Sequence, residues 1–134
     1  MSRVAHTRLA PDGLFKPALY SQVVVASGRR MVFISGQVSM DASGHLVAPG
    51  DFGGQVRQVF ANLQKALAGA GASPSDVTKL TTYVVGYRPE LRAVIGEART
   101  AVFGSVDLPA STLVGVQALA EPGYLVEVEA IAVI

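Results

Sequence analysis

Two carboxylates near the C-terminus are the side chains best suited to acid–base chemistry. Residues 124–134 alternate between a wholly apolar set and a mixed set, as a β-strand with one buried face would. Glu127 and Glu129 belong to the mixed face, which they share with Leu125 and Ile131. A carboxyl group among apolar neighbours has a raised pKa and can act as a general acid or base. The alternative interpretation is a solvated acid near the start of the strand. It is about equally favoured for Glu127 and more strongly favoured for Glu129.

A second group of candidates lies where an apolar strand ends. Residues 33–38 read Phe-Ile-Ser-Gly-Gln-Val, so Ser35 offers a hydroxyl and Gly36 permits a bulge or a close approach of the backbone to a ligand. By spacing alone, a simple bend from strand to loop is the favoured alternative. Tyr20 and Tyr124 are candidates for phenol groups at a pocket edge, although each also fits a strand aromatic with an exposed tip.

The sequence gives little support for a metal site, thiolate catalysis or a phosphate-binding loop. His6 and His45 are the only histidines and neither has a ligand-spaced partner, so no metal site is expected and both are predicted to be exposed polar residues. The absence of Cys excludes thiolate catalysis and disulfides. The pair Gly53-Gly54 lacks the Lys and Ser/Thr of a phosphate loop. We therefore expect neither a metal nor a cofactor.

Composition narrows the class of protein. The 134 residues fit a single domain spanning 1–134, and a formal charge of +1 disfavours a nucleic-acid partner. No apolar run is long enough to cross a membrane and no signal segment is evident, so we expect a cytoplasmic protein without a membrane partner. Charged residues make up only 16% of the chain and hydrophobic ones 50%. This apolar surplus predicts that other subunits cover part of the surface.

Periodicity gives the elements that position these candidates. Helical spacing predicts helices over residues 51–70 and 89–103, with Asp51 as the first N-cap, Pro89 at the first position of the second helix, and glycines ending both. Strands are predicted over residues 22–26, 30–35, 77–85, 111–116 and 124–134. The first two read as a hairpin, and the last two as a final pair. The order β-β-α-β-α-β-β indicates an α+β fold with both helices on one face of a mixed sheet. The uncovered face is then the expected site of subunit contacts.

Four segments in this order resemble successive blocks of the RidA/YjgF family, also called the Rid superfamily. They are residues 32–38 (Val-Phe-Ile-Ser-Gly-Gln-Val), 79–85 (Lys-Leu-Thr-Thr-Tyr-Val-Val), 108–114 (Leu-Pro-Ala-Ser-Thr-Leu-Val) and 126–133 (Val-Glu-Val-Glu-Ala-Ile-Ala-Val). The resemblance implies a chorismate-mutase-like fold and a homotrimer with a small-molecule cleft between subunits. It also implies hydrolysis of small enamines or imines, such as 2-aminoacrylate, to a keto acid and ammonia without metal or cofactor.

The resemblance carries some family residues over and not others. Tyr20 matches a cleft tyrosine, Ser35 the strand-end serine that approaches the ligand, and Glu127 the glutamate that positions water. The family arginine that clamps the substrate carboxylate follows Pro-Ala, and this position holds Ser111, followed by Thr112. A cleft asparagine of the second helix is also missing, where the chain reads Val-Ile-Gly at 94–96.

This departure leaves two functions open. A serine offers one neutral donor where a guanidinium makes two charge-assisted hydrogen bonds, so the standard 2-aminoacrylate reaction is in doubt unless Arg88 or a neighbouring subunit's arginine substitutes. Ser111 and Thr112 with nearby backbone N–H groups would suit a less acidic ligand. The chain is therefore either an imine hydrolase that uses Glu127 or a non-catalytic trimer that binds a small ligand or a partner. A ribonuclease is disfavoured because there is no histidine pair or basic patch.

Overall fold

The structure is a computed structural model that describes residues 6–134, and its elements follow the order β-β-β-α-β-α-β-β. A 3₁₀ turn (Pro74–Asp76) precedes the fourth strand. The strands are β1 (Thr7–Leu9), β2 (Val23–Val25), β3 (Met31–Gln37), β4 (Val77–Val85), β5 (Ala110–Val116) and β6 (Val126–Val133), and the helices are α1 (Phe52–Gly69) and α2 (Leu91–Phe103).

A four-stranded mixed sheet forms the centre of the fold. Its strand order is β3-β6-β4-β5, with β4 and β5 parallel and the other pairs antiparallel. Along β6, Val126 and Val128 are completely buried with the core, while Glu127 and Glu129 are only partly buried on the opposite face. The predicted α+β fold, with two helices on one face of a mixed sheet, is confirmed.

The helices begin and end close to the predicted positions. The Asp51 carboxylate accepts a hydrogen bond from the Gly54 N–H (3.0 Å), which confirms this N-cap. Beyond the end of α1, Gly71 adopts a positive φ of 76°, which glycine allows without strain. The prediction that Pro89 occupies the first position of α2 is wrong by two residues, because Pro89 lies inside a turn closed by a hydrogen bond from the Leu91 N–H to the Arg88 carbonyl (2.9 Å).

The predicted hairpin between β2 and β3 is wrong. β2 instead pairs with β1, a strand that the sequence did not predict, and β3 pairs with β6. The N–H groups of Arg29 and Arg30 both donate to the Ile134 carbonyl (2.8 Å each), and Gly28 lies directly against the same C-terminal residue. The segment therefore passes around the end of β6 instead of turning back on β2.

The predicted pairing of the last two strands is also wrong, since β6 lies between β3 and β4 while β5 occupies the sheet edge. The connection before β6 is bonded to Gln55, a completely buried residue of α1. Its amide donates to the Gly123 carbonyl and accepts from the Leu125 N–H, each at 3.0 Å. These bonds hold the connection against α1, and the chain then enters the middle of the sheet.

His6 differs from its predicted exposed state, because only 8% of its surface is exposed. The ring contacts the Asp76 carbonyl through Nε2 (3.1 Å) and accepts from the Ser27 N–H through Nδ1 (3.1 Å). His6 thus links the β1–β2 pair to the start of β4. His45 is exposed as predicted, in a loop where its N–H donates to Asp41 and lowers the pKa of that carboxyl.

Candidate functional site

Gly36 and Glu127 are brought into direct contact. The pairing of β3 with β6 shifts between Ile34 and Gln37, so Ser35 and Gly36 form a bulge within the strand. A Cβ atom at position 36 would overlap the Glu127 carboxyl group. The bulge is one of the features that the sequence allowed at Gly36, and the close approach seen here is to the Glu127 side chain. The competing strand-to-loop bend is wrong because β3 continues to Gln37.

Glu127 has the electrostatic environment of an acid–base group. Partial burial raises its pKa, and the negative charge of Glu129 raises it further. Tyr83, directly opposite Glu127 on β4, donates its hydroxyl to the Glu129 carboxylate. That hydrogen bond is the main cause of the raised pKa of Tyr83. The Glu129 carboxylate thus accepts the hydrogen bond of Tyr83, whereas the raised pKa of the Glu127 carboxyl group suits it to proton transfer.

Ser111 and Thr112 project to opposite faces of β5. Ser111 pairs with the buried Leu80, and its Oγ lies 3.4 Å from Nη1 of Arg99 on α2. Thr112 pairs with Thr81 and accepts a hydrogen bond from the Lys79 ammonium group on the helix-free face. These two predicted binding residues therefore do not share one pocket within a single chain.

Tyr20 lies near the start of β5, the end of the strand that holds Ser111, because Ser21 is hydrogen-bonded to that region. The Ser21 hydroxyl donates to the Leu108 carbonyl (2.6 Å) and its N–H donates to the Pro109 carbonyl (2.9 Å). Tyr20 is half-buried and close enough to Arg99 to interact with its guanidinium electrostatically. Tyr124, the other predicted phenol, lies in the turn where its N–H donates to the Glu121 carbonyl.

Arg99 and Tyr83 were not predicted from the sequence as site residues. Arg99 lies beside the apolar stripe of α2, next to Ala98, where a helical wheel places it at the border of the buried face. Tyr83 alternates with the buried residues of β4 and so faces the same side as Glu127. The periodicity of α2 and β4 indicates which face carries Arg99 and which carries Tyr83. Only the pairing of the strands and the packing of the helices showed which residues each side chain contacts.

The candidate residues thus form two clusters. The acid cluster comprises Gly36, Tyr83, Glu127 and Glu129 on the helix-free face, next to the exposed Ser35. The cation cluster comprises Tyr20, Arg99 and Ser111 at the start of β5. One strand lies between β5 and β6, so the backbones at Ser111 and Glu127 are at least about 10 Å apart across the sheet, and their side chains lie on opposite faces.

Within residues 6–134, no group of three or more His, Asp or Glu side chains is placed to hold a metal ion. In the same range, no helix is both long and apolar enough to span a membrane.

The sequence model described as Endoribonuclease L-PSP matches residues 14–134. The chain is 37% identical to a 2-iminobutanoate/2-iminopropanoate deaminase of Mus musculus, with 98% of this chain and 90% of that protein covered. It is 34% identical to a RutC family protein of Pyrococcus horikoshii, with 98% of each covered. The chain belongs to the RidA/YjgF family.

Solved structures of Rid proteins have the same fold. The crystal structure of YyfB from Yersinia pestis, described as a protein of unknown function of the conserved Rid family, matches with a TM-score of 0.92 at 38% identity, covering 98% of this chain and all of that one. RidA from an Antarctic Psychrobacter species matches with a TM-score of 0.69 at 32% identity, covering 98% of this chain and all of that one. The recognition made from the four sequence blocks is therefore confirmed.

Proposed function

We propose that this Rid-family chain hydrolyses a small 2-imino acid to the 2-keto acid and ammonia. Several relatives carry the name 2-iminobutanoate/2-iminopropanoate deaminase, including those of Mus musculus and Rattus norvegicus. The observation that carries the proposal is the Glu127 carboxyl group, held against the Gly36 backbone with a raised pKa. A carboxyl group with a raised pKa can accept a proton and return it during a reaction.

The reaction needs only water besides the substrate. The water oxygen forms a bond to the imine carbon while Glu127 takes a proton from the water and passes it to the nitrogen, which gives a tetrahedral carbinolamine. Glu127 then takes the proton of the carbinolamine hydroxyl group and delivers it to the nitrogen, the carbon–nitrogen bond breaks, and ammonia leaves as the carbonyl forms. Because Gly36 has no side chain, the Glu127 carboxyl group can lie close against the strand.

The proposed site includes two subunits of a homotrimer. A four-carbon imino acid is too small to touch both the acid cluster and the cation cluster of one chain, because their backbones are at least about 10 Å apart across the sheet and their side chains lie on opposite faces. A cleft in which the acid cluster of one subunit faces the cation cluster of its neighbour brings both to one ligand. The exposed Met31 and Phe33 on β3, 61% and 70% exposed, offer apolar surface for that contact.

A non-catalytic trimer that binds a small ligand is the second candidate. The observation that favours it is Ser111, which stands where the family resemblance expects the substrate-clamping arginine. Such a protein would keep the cleft and bind a ligand without turnover.

The test is the release of keto acid from enzymatically generated 2-iminopropanoate. We expect the wild-type protein to accelerate release and Glu127→Gln to lose at least about 100-fold in rate, within the range for a general acid–base group. Glu121→Gln, which alters an exposed glutamate in a turn, is the matched control and should behave as wild type. An inert wild-type protein whose Ser111→Arg variant gains activity would instead support the binding trimer.

A further inference from the structure

Arg99 is a partly buried cation without an anionic partner among residues 6–134. Its only recorded hydrogen bond in that range is the long one from Nη1 to the Ser111 hydroxyl (3.4 Å). Other arginines of the chain are paired differently: Arg8 lies 3.6 Å from the Asp107 carboxylate, and the exposed Arg88 lies 3.8 Å from Glu90. A guanidinium carries five N–H donors, and among these residues only Nη1 donates to another protein group.

The environment of Arg99 costs free energy unless an anion arrives. Burial lowers the pKa of the guanidinium, and the positive charge persists because arginine pKa values are so high. Removing a charge from water without pairing it is unfavourable. A carboxylate bound to the guanidinium in two parallel hydrogen bonds would offset that cost.

A groove lies next to the helix segment that carries Arg99. Gly96, Glu97 and Thr100 of α2 line it together with Leu19, and a Cβ atom added at Gly96 would touch Leu19 (3.5 Å). Arg99 itself meets Ser111 of β5 and does not line this groove.

The serine at position 111 is consistent with this arrangement. A second guanidinium at 111 would lie against Arg99, where two like charges and two long side chains compete for one space. A serine there is small, leaves the Arg99 guanidinium in place and adds a neutral donor. The arginine that the family resemblance expects on β5 is thus replaced by Ser111, and α2 carries an arginine, Arg99, beside it.

We propose that Arg99 binds the carboxylate of the ligand, with the hydroxyl groups of Ser111 and Tyr20 as neighbouring donors. The exchange places the cation on α2 where the resemblance expects it on β5. This inference rests on the proposed function for the choice of a 2-imino or 2-keto acid. The exposed Arg88, which the sequence suggested as a substitute, is directed to Glu90 and is not needed.

The test is the binding of 2-oxobutanoate, a stable keto acid, measured by calorimetry with the intact protein. We expect Arg99→Ser to weaken binding by about 10- to 100-fold, the size of one lost charge-assisted hydrogen bond. Arg99→Ser combined with Ser111→Arg should recover most of the affinity. Arg88→Ser is the matched control and should bind as wild type, and the neutral amide 2-oxobutanamide should not distinguish wild type from Arg99→Ser.

Several outcomes would overturn the role of Arg99. They are unchanged affinity in Arg99→Ser, failure of the double variant to recover affinity while both variants remain folded by thermal melting, and no binding of 2-oxobutanoate to the wild-type protein. If Arg99→Ser does not fold, Arg99→Lys keeps the charge and should show a smaller loss. Keto-acid binding through Arg99 without imine hydrolysis would refute the proposed function alone, whereas hydrolysis with an unchanged KM in Arg99→Ser would refute this inference alone.

Discussion

Glu127 and Glu129 occupy the same face of β6 two residues apart, and their partners separate their roles. Glu129 accepts the Tyr83 hydroxyl, while Glu127 lies against the bare backbone of Gly36. The negative charge on Glu129 contributes to the raised pKa of Glu127. In this account Glu129 is a positioning residue that holds a charge beside the carboxyl group that transfers the proton.

The pH dependence of the reaction follows from this pair. Glu127 must be ionised to accept a proton from water, so activity falls as the pH drops through its raised pKa, above the range of an ordinary glutamate. Glu129→Gln removes the neighbouring negative charge, lowers the pKa of Glu127 and should move the acidic limb of kcat/KM to lower pH. The profile is measured on both proteins with the same imine. An acidic limb that stays in place, or moves to higher pH, would contradict the assigned pairing.

At the scale of elements, the bulge in β3 is what lets two strands present a carboxyl group and a backbone so close together. Gly36→Ala should displace the flexible Glu127 side chain and lower the activity at least about tenfold, with only a small loss of stability because no backbone atom is displaced. Thermal melting and imine hydrolysis measure the two effects.

Gly69→Ala is the matched control for this glycine. No atom lies within 4 Å of a Cβ added at the end of α1, and helix propensity favours alanine, so this variant should be as stable as wild type or slightly more stable. If Gly36→Ala kept full activity and stability, the close approach would have no functional importance.

The elements also show how far the sequence could predict this fold. Alternation along β6 and the helical spacing of α1 gave the buried faces correctly, because both patterns are local consequences of burial. The predicted pairings of β2 with β3 and of β5 with β6 are wrong because strand pairing depends on contacts between residues that are far apart in the sequence. The Gln55 amide, 68 residues from Gly123, draws the last connection onto α1, and no local pattern signals that bond.

The candidate site shows the same division. Glu127, Gly36, Ser35, Tyr20 and Ser111 were all proposed from the sequence, and Gly36 with Glu127 do meet. The separation of Ser111 from Thr112 follows from strand alternation, yet Arg99 required knowledge of how α2 packs over β5. Side chains from different elements meet only once the topology is fixed.

For the whole molecule, the two clusters and the exposed apolar residues lead to the same arrangement. The chain has few charges for its size, and Phe15, Met31 and Phe33 remain more than half exposed. A monomer would leave this apolar surface in water and the acid cluster and the cation cluster apart. A homotrimer in which neighbouring subunits join the two clusters accounts for both features.

The most direct test of this account is complementation between subunits. Glu127→Gln and Arg99→Ser are co-expressed with different tags, the mixed oligomers are purified through both tags, and imine hydrolysis is measured at substrate concentrations below the wild-type KM. Light scattering gives the assembly size, and a mixture of Glu127→Gln with Glu127→Ala is the control that lacks every intact acid cluster.

Each parent variant should be nearly inactive under these conditions. Every trimer that contains both variants has one interface of three that joins an intact Glu127 to an intact Arg99, so the mixed oligomers should recover about one third of wild-type activity. Mixed oligomers as inactive as both parents would contradict a site built from two subunits, as would a wild-type protein that is monomeric and active.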